Sequence, residues 1–326
     1  MKVPLFSQAD LTAKHEELRR PWHSNYLAMF SSVFGGIVTD PILMTIPIDD
    51  HLVHRADGVF DLFKSVNGRA YCQERHLARL ENSAAGLDLK MPADYTRIRE
   101  IIKAVAQVGG VKDCLIRIIV SRGPGGFSTN PYECPASQLY VVISRLQPLA
   151  KEKYEKGIPI ISAPVPVKPS TFANIKSADY LGNVLVKKAA VESGVEYAVN
   201  WDENGYLAEG STENILLVSP DKELLIPSYE RVLKGVTMTR VIELAERLID
   251  KRILKGVKTA YIDHELAARC PEVMLSGTTL DILPVNRWDG RQVGGGVPGP
   301  VAKTLLELIR KDITENEELL TPLFDE

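Results

Sequence analysis

The chain has 326 residues, of which 45% are hydrophobic and 25% charged, with a formal net charge of -3. That is enough chain for two domains and a sizeable core, without the basic excess of a nucleic-acid or anionic-membrane surface. No run approaches the roughly 18 apolar residues of a membrane span, and the first segment turns charged before any apolar stretch reaches signal length. Asp10, Glu16 and Glu17 put acid where transit peptides avoid it, so a cytoplasmic protein acting on small molecules is expected. Cys72, Cys114, Cys134 and Cys270 lack CxxC spacing and read as free thiols rather than a disulfide or zinc framework.

In chain order, Ser7 or Asp10 caps a first helix reaching Arg20, with acid early and arginines late as the helix dipole prefers. Residues 1–30 are therefore read as a helical extension. From Ser31 the character turns β-rich, SSVFGGIV then ILMTIPI, with turns at Gly35-Gly36 and Thr39-Asp40-Pro41. GVFDLFKSV, Asn67-Gly68 and RAYC form a hairpin. Helices follow from Glu74 to Ala85 and from Ala93 to Val108. CLIRIIVS and QLYVVIS are expected to be sheet neighbours, and a helix-interrupted antiparallel sheet makes residues 31–150 a small α+β domain. The charged stretch RLQPLAKEKYEKG sets a linker at about 145–157, and residues 158–326 form a larger domain.

That second unit opens with the strand IPIIS. A helix is expected from Ala178 to Val191 with Ser177 as its cap, then hairpins around Asp202–Gly205 and SPDK. A helix capped by Thr237 runs from Met238 to Leu248, a strand spans EVMLSGTT, and GGGVPG introduces a terminal helix from Pro300 to Lys311.

Several of these places carry chemistry. Lys176 lies at a strand-to-helix joint, where burial and a helix N-terminus favour the neutral amine that imine formation needs, although most such lysines are simply solvated. Lys187 and Lys188 sit mid-helix and read as a solvated face. Glu209 follows a strand and precedes Gly210-Ser211, so it is either a turn carboxylate or one aimed into a cavity. Beside a pyridine nitrogen it would keep the ring protonated and make it an electron sink. Arg79 offers a bidentate contact to an anion. Gly235-Val236-Thr237 opening a helix, and Gly277-Thr278-Thr279 after a strand, add backbone N–H groups and hydroxyls. His51 and His54 have the spacing of two metal ligands but no third, so they read as ordinary polar positions and no metal is expected. GPGGF lacks the lysine of a nucleotide loop and reads as a turn near a substrate.

Taken together and in order, DGVFDLFKSVNGRAYCQERHLARL, SRGPGG, IKSADYL, AEGSTENILLV, LKGVTMTRVIELA, LSGTTLDILPV and GGGVPGPVAKTLLELI make the chain resemble the class IV, fold type IV pyridoxal phosphate aminotransferases. That family includes D-amino-acid and branched-chain transaminases and aminodeoxychorismate lyase. The resemblance covers about residues 29 to 315. It implies a two-domain α+β and α/β fold with a small N-terminal domain and a larger pseudo-barrel domain, pyridoxal 5'-phosphate as cofactor, and a homodimer whose active site lies between the domains and is partly completed by the other subunit. By the same resemblance Lys176 is the Schiff-base lysine and general base, and Glu209 the partner of the pyridine nitrogen. Arg79, Val236, Thr237, Thr278 and Thr279 become phosphate and carboxylate contacts, Tyr180 lies beside the cofactor hydroxyl, and Phe60, Arg122, Gly125 and Thr279 lie on the substrate side.

The implied reaction is a ping-pong exchange between an amino acid and a 2-oxo acid. A D-amino acid or a small apolar or branched-chain amino acid is the expected donor, pyruvate elimination by a lyase is the alternative enzyme, and a non-catalytic cofactor-binding protein is the alternative outside enzymes. The departures concern substrate. Asp179 replaces a frequent asparagine, Phe60 a frequent tyrosine, and Gly125-Gly126-Phe127-Ser128 stands where D-amino-acid transaminases carry an Arg-x-His clamp.

Overall fold

A computed structural model describes residues 3–325. Two sheets organise it. The first is built from β1 (Tyr26–Ser31), β2 (Gly36–Val38), β3 (Gly58–Val66), β4 (Arg69–Tyr71), β5 (Cys114–Ser121) and β6 (Gln138–Arg145). The second comprises β7 (Ile158–Ser162), β8 (Tyr197–Trp201), β9 (Leu207–Gly210), β10 (Asn214–Val218), β11 (Glu223–Pro227), β12 (Gly256–Ala260), β13 (Glu272–Gly277), β14 (Asp281–Trp288) and the short β15 (Arg291–Gln292). The last strand, β16 (Leu320–Pro322), returns to the first sheet, whose order is β16-β4-β3-β5-β6-β1-β2. There the chain end leaves the second sheet: Leu320 pairs with Tyr71 and Pro322 with Arg69.

The first sheet is antiparallel throughout its described pairings. Alternation sorts its side chains. In β3, Asp61 and Phe63 point to the helical side and are fully buried, while Phe60 and Leu62 point the other way. In β5, Ile116, Ile118 and Val120 join the core, while Leu115 and Arg117 share the face of Leu62. Helices Gln73–Ala85 and Tyr95–Gly109 cover the core side with Leu77, Leu80, Ile98, Ile102 and Val105. The Asn67-Gly68 turn takes positive φ at both residues, 53° and 79°, as a tight hairpin between right-twisted strands demands.

The second sheet runs β12-β11-β10-β13-β14-β7-β8-β9 and is mixed, with parallel pairs at β11/β12, β14/β7 and β7/β8. Its strands β10, β11, β13 and β14 are buried almost continuously, and helices Val236–Asp250 and Pro300–Glu315 lay Val241, Leu244, Leu248, Leu305 and Ile309 on them. The helix Leu181–Glu192 buries Val186 and Ala190 on the β8 side, with Ala189 beside them, and leaves Leu181, Val184, Leu185 and Val191 exposed.

Other differences from the sequence reading have local causes. ILMTIPI is not a strand: Pro41 starts a 3-10 turn whose first donor, Ile42 N–H, bonds Asp40 Oδ1 at 3.1 Å, and a second proline follows at Pro47. The first helix stops at Lys14, capped by a Ser7–Asp10 box. Ser177 is not a cap. Lys176 C=O accepts from Phe60 N–H at 3.0 Å and Ala178 N–H donates to Gly58 C=O at 2.8 Å, so the lysine segment bridges the β3 edge and the helix starts only at Leu181. Gly235, not Thr237, caps the Val236–Asp250 helix.

Candidate active site

The two sheets face each other across a cavity of about 400 Å³. Phe60, Leu62, Leu115 and Arg117 line it from the first sheet, Arg79 from the helix behind, and Lys176, Tyr180, Glu209, Val236, Thr237, Thr278 and Thr279 from the second unit. Every residue assigned from sequence to cofactor binding thus lines one space. So do Phe60 and Thr279 on the substrate side.

Lys176 is held by its backbone. Its N–H donates to Ser83 Oγ at 3.1 Å and its carbonyl accepts from Phe60, which fixes where the side chain starts. The amine donates to Tyr180 Oη at 2.9 Å and stands 4.7 Å from the Phe60 ring centroid. Burial first, and the charge of Arg79 second, lower the amine from its usual range to about 8. Burial raises the Tyr180 hydroxyl, and Glu209 adds to it; the phenol stays protonated and able to donate.

Glu209 lies within β9, inside the strand rather than in the turn. It accepts from Leu233 N–H at 3.1 Å and Asn214 Nδ2 at 3.3 Å, and burial raises its carboxyl to about 7. Asn214 also donates to Leu233 C=O at 2.9 Å and packs so closely on Gly235 that a Cβ there would meet its Oδ1 at 2.0 Å. The glycine lets the mouth of the Val236 helix approach, and the asparagine ties that mouth to Glu209.

Arg79 turns its Nε and Nη2 to the two Asp61 oxygens, each at 2.8 Å. Its Nη1 makes no hydrogen bond to the protein among the described residues and is left for the cavity. The first N–H groups of the Val236 helix have no intrahelical acceptor, and the Gly277–Thr279 turn supplies further donors. Thr278 Oγ1 meanwhile donates to Leu62 C=O at 3.3 Å, joining that turn to β3.

Arg122 and Gly125 are not brought into the cavity. Arg122 forks onto Asp57 at 3.0 Å and caps the carbonyls of Leu87 and Asp88. Gly125 N–H donates to Asp49 C=O at 3.0 Å, and Cys134 leaves no room for a side chain there. His51 reaches Gly126 C=O at 3.2 Å and the His54 ring lies against Phe127, so this pair supports the loop. The cavity also holds residues the sequence reading missed, Arg117 and Asn214, with Asp61 behind them. A cation within the apolar run CLIRIIV was the available signal for Arg117.

Residues 58–288 match the Amino-transferase class IV family model. The chain belongs to the class IV aminotransferases. It is 38% identical over 294 residues to the D-amino-acid transaminase, chloroplastic, of Arabidopsis thaliana, covering 88% of this chain and 77% of that one. It is 29% identical over 268 residues to the putative branched-chain-amino-acid aminotransferase of Methanocaldococcus jannaschii, covering 82% and 91%. Among solved structures, a T.th. branched-chain amino acid aminotransferase with pyridoxamine 5'-phosphate superposes with a TM-score of 0.85 at 26% identity, over 92% of this chain and 99% of that one. This class IV aminotransferase therefore has the fold type IV architecture, and the cofactor of its class is pyridoxal 5'-phosphate.

The residues present fit that group. Among the described residues the buried Glu209, raised to about 7, makes no ion pair, and a protonated ring nitrogen would supply one. A free arginine nitrogen, a helix mouth and a threonine turn suit a phosphate. The amine of Lys176, lowered to about 8, suits the aldehyde.

Proposed function

We propose that the chain is a transaminase that moves an amino group between a D-amino acid, or a small apolar or branched-chain amino acid, and a 2-oxo acid in ping-pong fashion. The observation that carries the proposal is one cavity holding Lys176, Tyr180, Arg79 and Glu209 against the apolar wall of Phe60, Leu62 and Leu115. In this reading Arg79 Nη1, the N–H groups of Val236 and Thr237, and Thr278 and Thr279 hold the phosphate, and Glu209 holds the ring nitrogen.

When bound, pyridoxal phosphate supplies an electron sink for the pair left on the substrate Cα. Lys176 Nζ takes the Cα proton as general base, and the Tyr180 hydroxyl keeps that amine aimed across the Phe60 ring. Phe60, Leu62 and Leu115 keep water from the side chain of a small apolar donor. The Arg117 guanidinium, 5.3 Å from the Phe60 ring centroid, makes no hydrogen bond or ion pair among the described residues, and burial lowers its affinity for a proton. An arginine so placed calls for an anion, and a substrate carboxylate meets the need.

A homodimer belongs to the same proposal, supported by the exposed apolar row Leu181, Val184, Leu185 and Val191. A cytoplasmic location is likewise proposed, and plastid fluorescence of a tagged full chain would overturn it. No helix among the described residues is long and apolar enough to cross a membrane. The pyruvate-eliminating alternative draws no support from the relatives named above, all of them transaminases by name.

The deciding experiment follows the cofactor absorbance of purified holoenzyme with single D- and L-amino acids, then adds 2-oxoglutarate. Bleaching by an apolar donor and recovery with the oxo acid is the expected result. Pyruvate released from aminodeoxychorismate without an acceptor would favour the lyase, and no bleaching by any donor would leave a non-catalytic binder.

A further inference from the structure

Asp61 is fully buried, yet no cavity-facing role falls to it by sequence. It sits in β3 between Phe60 and Leu62, which face the cavity, so alternation turns it to the helix Gln73–Ala85 behind. There its carboxylate receives Arg79 Nε at 2.8 Å, Arg79 Nη2 at 2.8 Å and His76 Nδ1 at 2.7 Å, and the neighbouring Leu62 N–H is a fourth donor at 2.7 Å. Taken alone, burial would raise this carboxyl, but the charges of Arg79 and His76 overcome it and hold Asp61 well below the usual carboxylate range. A guanidinium has five N–H donors in a rigid plane. Once Nε and Nη2 are spent on Asp61, the plane is set and Nη1 is the edge left toward the cavity.

Two further contacts make this pair more than a core ion pair. The helix that carries Arg79 also holds Lys176 N–H through Ser83 Oγ, and the strand that carries Asp61 also holds Lys176 C=O through Phe60 N–H. A shift of Arg79 against Asp61 would therefore move the frame of the lysine. Arg79 and Asp61 also act on the Lys176 amine with opposite signs, the first lowering and the second raising its proton affinity.

We propose that Asp61 is a positioning residue for the cofactor phosphate: its carboxylate, with His76 as third donor, sets the plane of Arg79 so that Nη1 meets the phosphate, and offsets the arginine's charge at Lys176. This rests on the assignment of Arg79 to the phosphate.

The test compares the affinity of cofactor-free full chain for pyridoxal phosphate with its affinity for pyridoxal, which has the same aldehyde and ring but no phosphate. Asp61→Asn should lower the ratio of the two about tenfold, the value of a misdirected hydrogen bond to a charged group, with pyridoxal affinity held within about twofold. Imine capture should also move to lower pH, because the field of Arg79 is no longer offset. A merely structural loss would weaken both ligands alike, so an unchanged ratio overturns the proposal. Where Asp61→Asn does not fold, Asp61→Glu keeps the charge and displaces it by one methylene; the ratio should still fall, and an unchanged ratio again overturns the idea. Arg79→Gln separates the premises. If it lowers the ratio while Asp61→Asn does not, only the positioning role falls; if neither variant moves it, the phosphate assignment of Arg79 falls as well.

Discussion

The Nζ of Lys176 donates a 2.9 Å hydrogen bond to the hydroxyl of Tyr180, and both side chains close on the ring of Phe60. A lysine so placed reacts as a free base over a pH range that ordinary lysines do not reach. The rate at which cofactor-free protein captures pyridoxal phosphate should rise with pH along a curve centred near 8. Stopped-flow absorbance reads it, and a curve centred near the about 10.4 of an unperturbed lysine would contradict this placement. Lys176→Ala should abolish the capture.

The same burial costs stability. The folded amine titrates near 8, below its unfolded range, so the unfolded chain binds more protons between the two values and stability rises with pH across that window. Lys176→Met should therefore stabilise cofactor-free protein at pH 7 by at most about 3 kcal/mol, the gain shrinking to nothing above about pH 10.4. Thermal melts of both proteins across that range test it, and a gain that grows with pH would be wrong in sign.

Glu209→Gln removes the charge opposite a ring nitrogen but leaves Lys176 and the phosphate donors in place. Cofactor capture should persist while kcat falls about a hundredfold or more, the usual cost of one preorganised charge contact. Parallel loss of capture would move Glu209 from chemistry to architecture.

Arg117→Gln should raise KM for 2-oxoglutarate roughly ten- to a hundredfold and leave KM for a monocarboxylic acceptor less affected. Equal effects on both acceptors would place the arginine at the shared carboxylate rather than the distal one.

Arg122 holds Asp57, Leu87 and Asp88. Arg122→Ala should cost roughly 1–3 kcal/mol of stability, because it leaves a carboxylate and two carbonyls without their donor. Chemical denaturation measures it; an unaltered midpoint with a raised KM would return Arg122 to the substrate.

Much of this site was legible because its parts are chemically distinctive and local. A lysine before a helix, a glutamate between a strand and Gly210-Ser211, and the GVT and GTT turns each read from a few residues. What the sequence hid was which surface of an element turns where. Arg117 reads as an ordinary strand residue until β5 is registered against β3, with Leu62 opposite it. Asp61 reads as polar relief in GVFDLF until alternation sends it behind the wall. Arg122 is hidden for the same reason: its motif adjoins a loop in sequence, but its side chain turns to Asp57 rather than to the cavity of its own chain. The Ser177 cap failed because the donors and acceptors around it are used across β3, a contact no local pattern announces.

The returning strand Leu320–Pro322 has a consequence for how the protein is made. Leu323 N–H bonds Gly68 C=O, and Cys72 N–H bonds Leu319 C=O, so the Arg69–Tyr71 border is finished by residues synthesised long after it. Until then that border is an open template for pairing with another nascent chain. Synthesis of the N-terminal half alone should favour aggregation, and a bulky fusion after Pro322 would compete with closure of a border laid down some two hundred and fifty residues earlier.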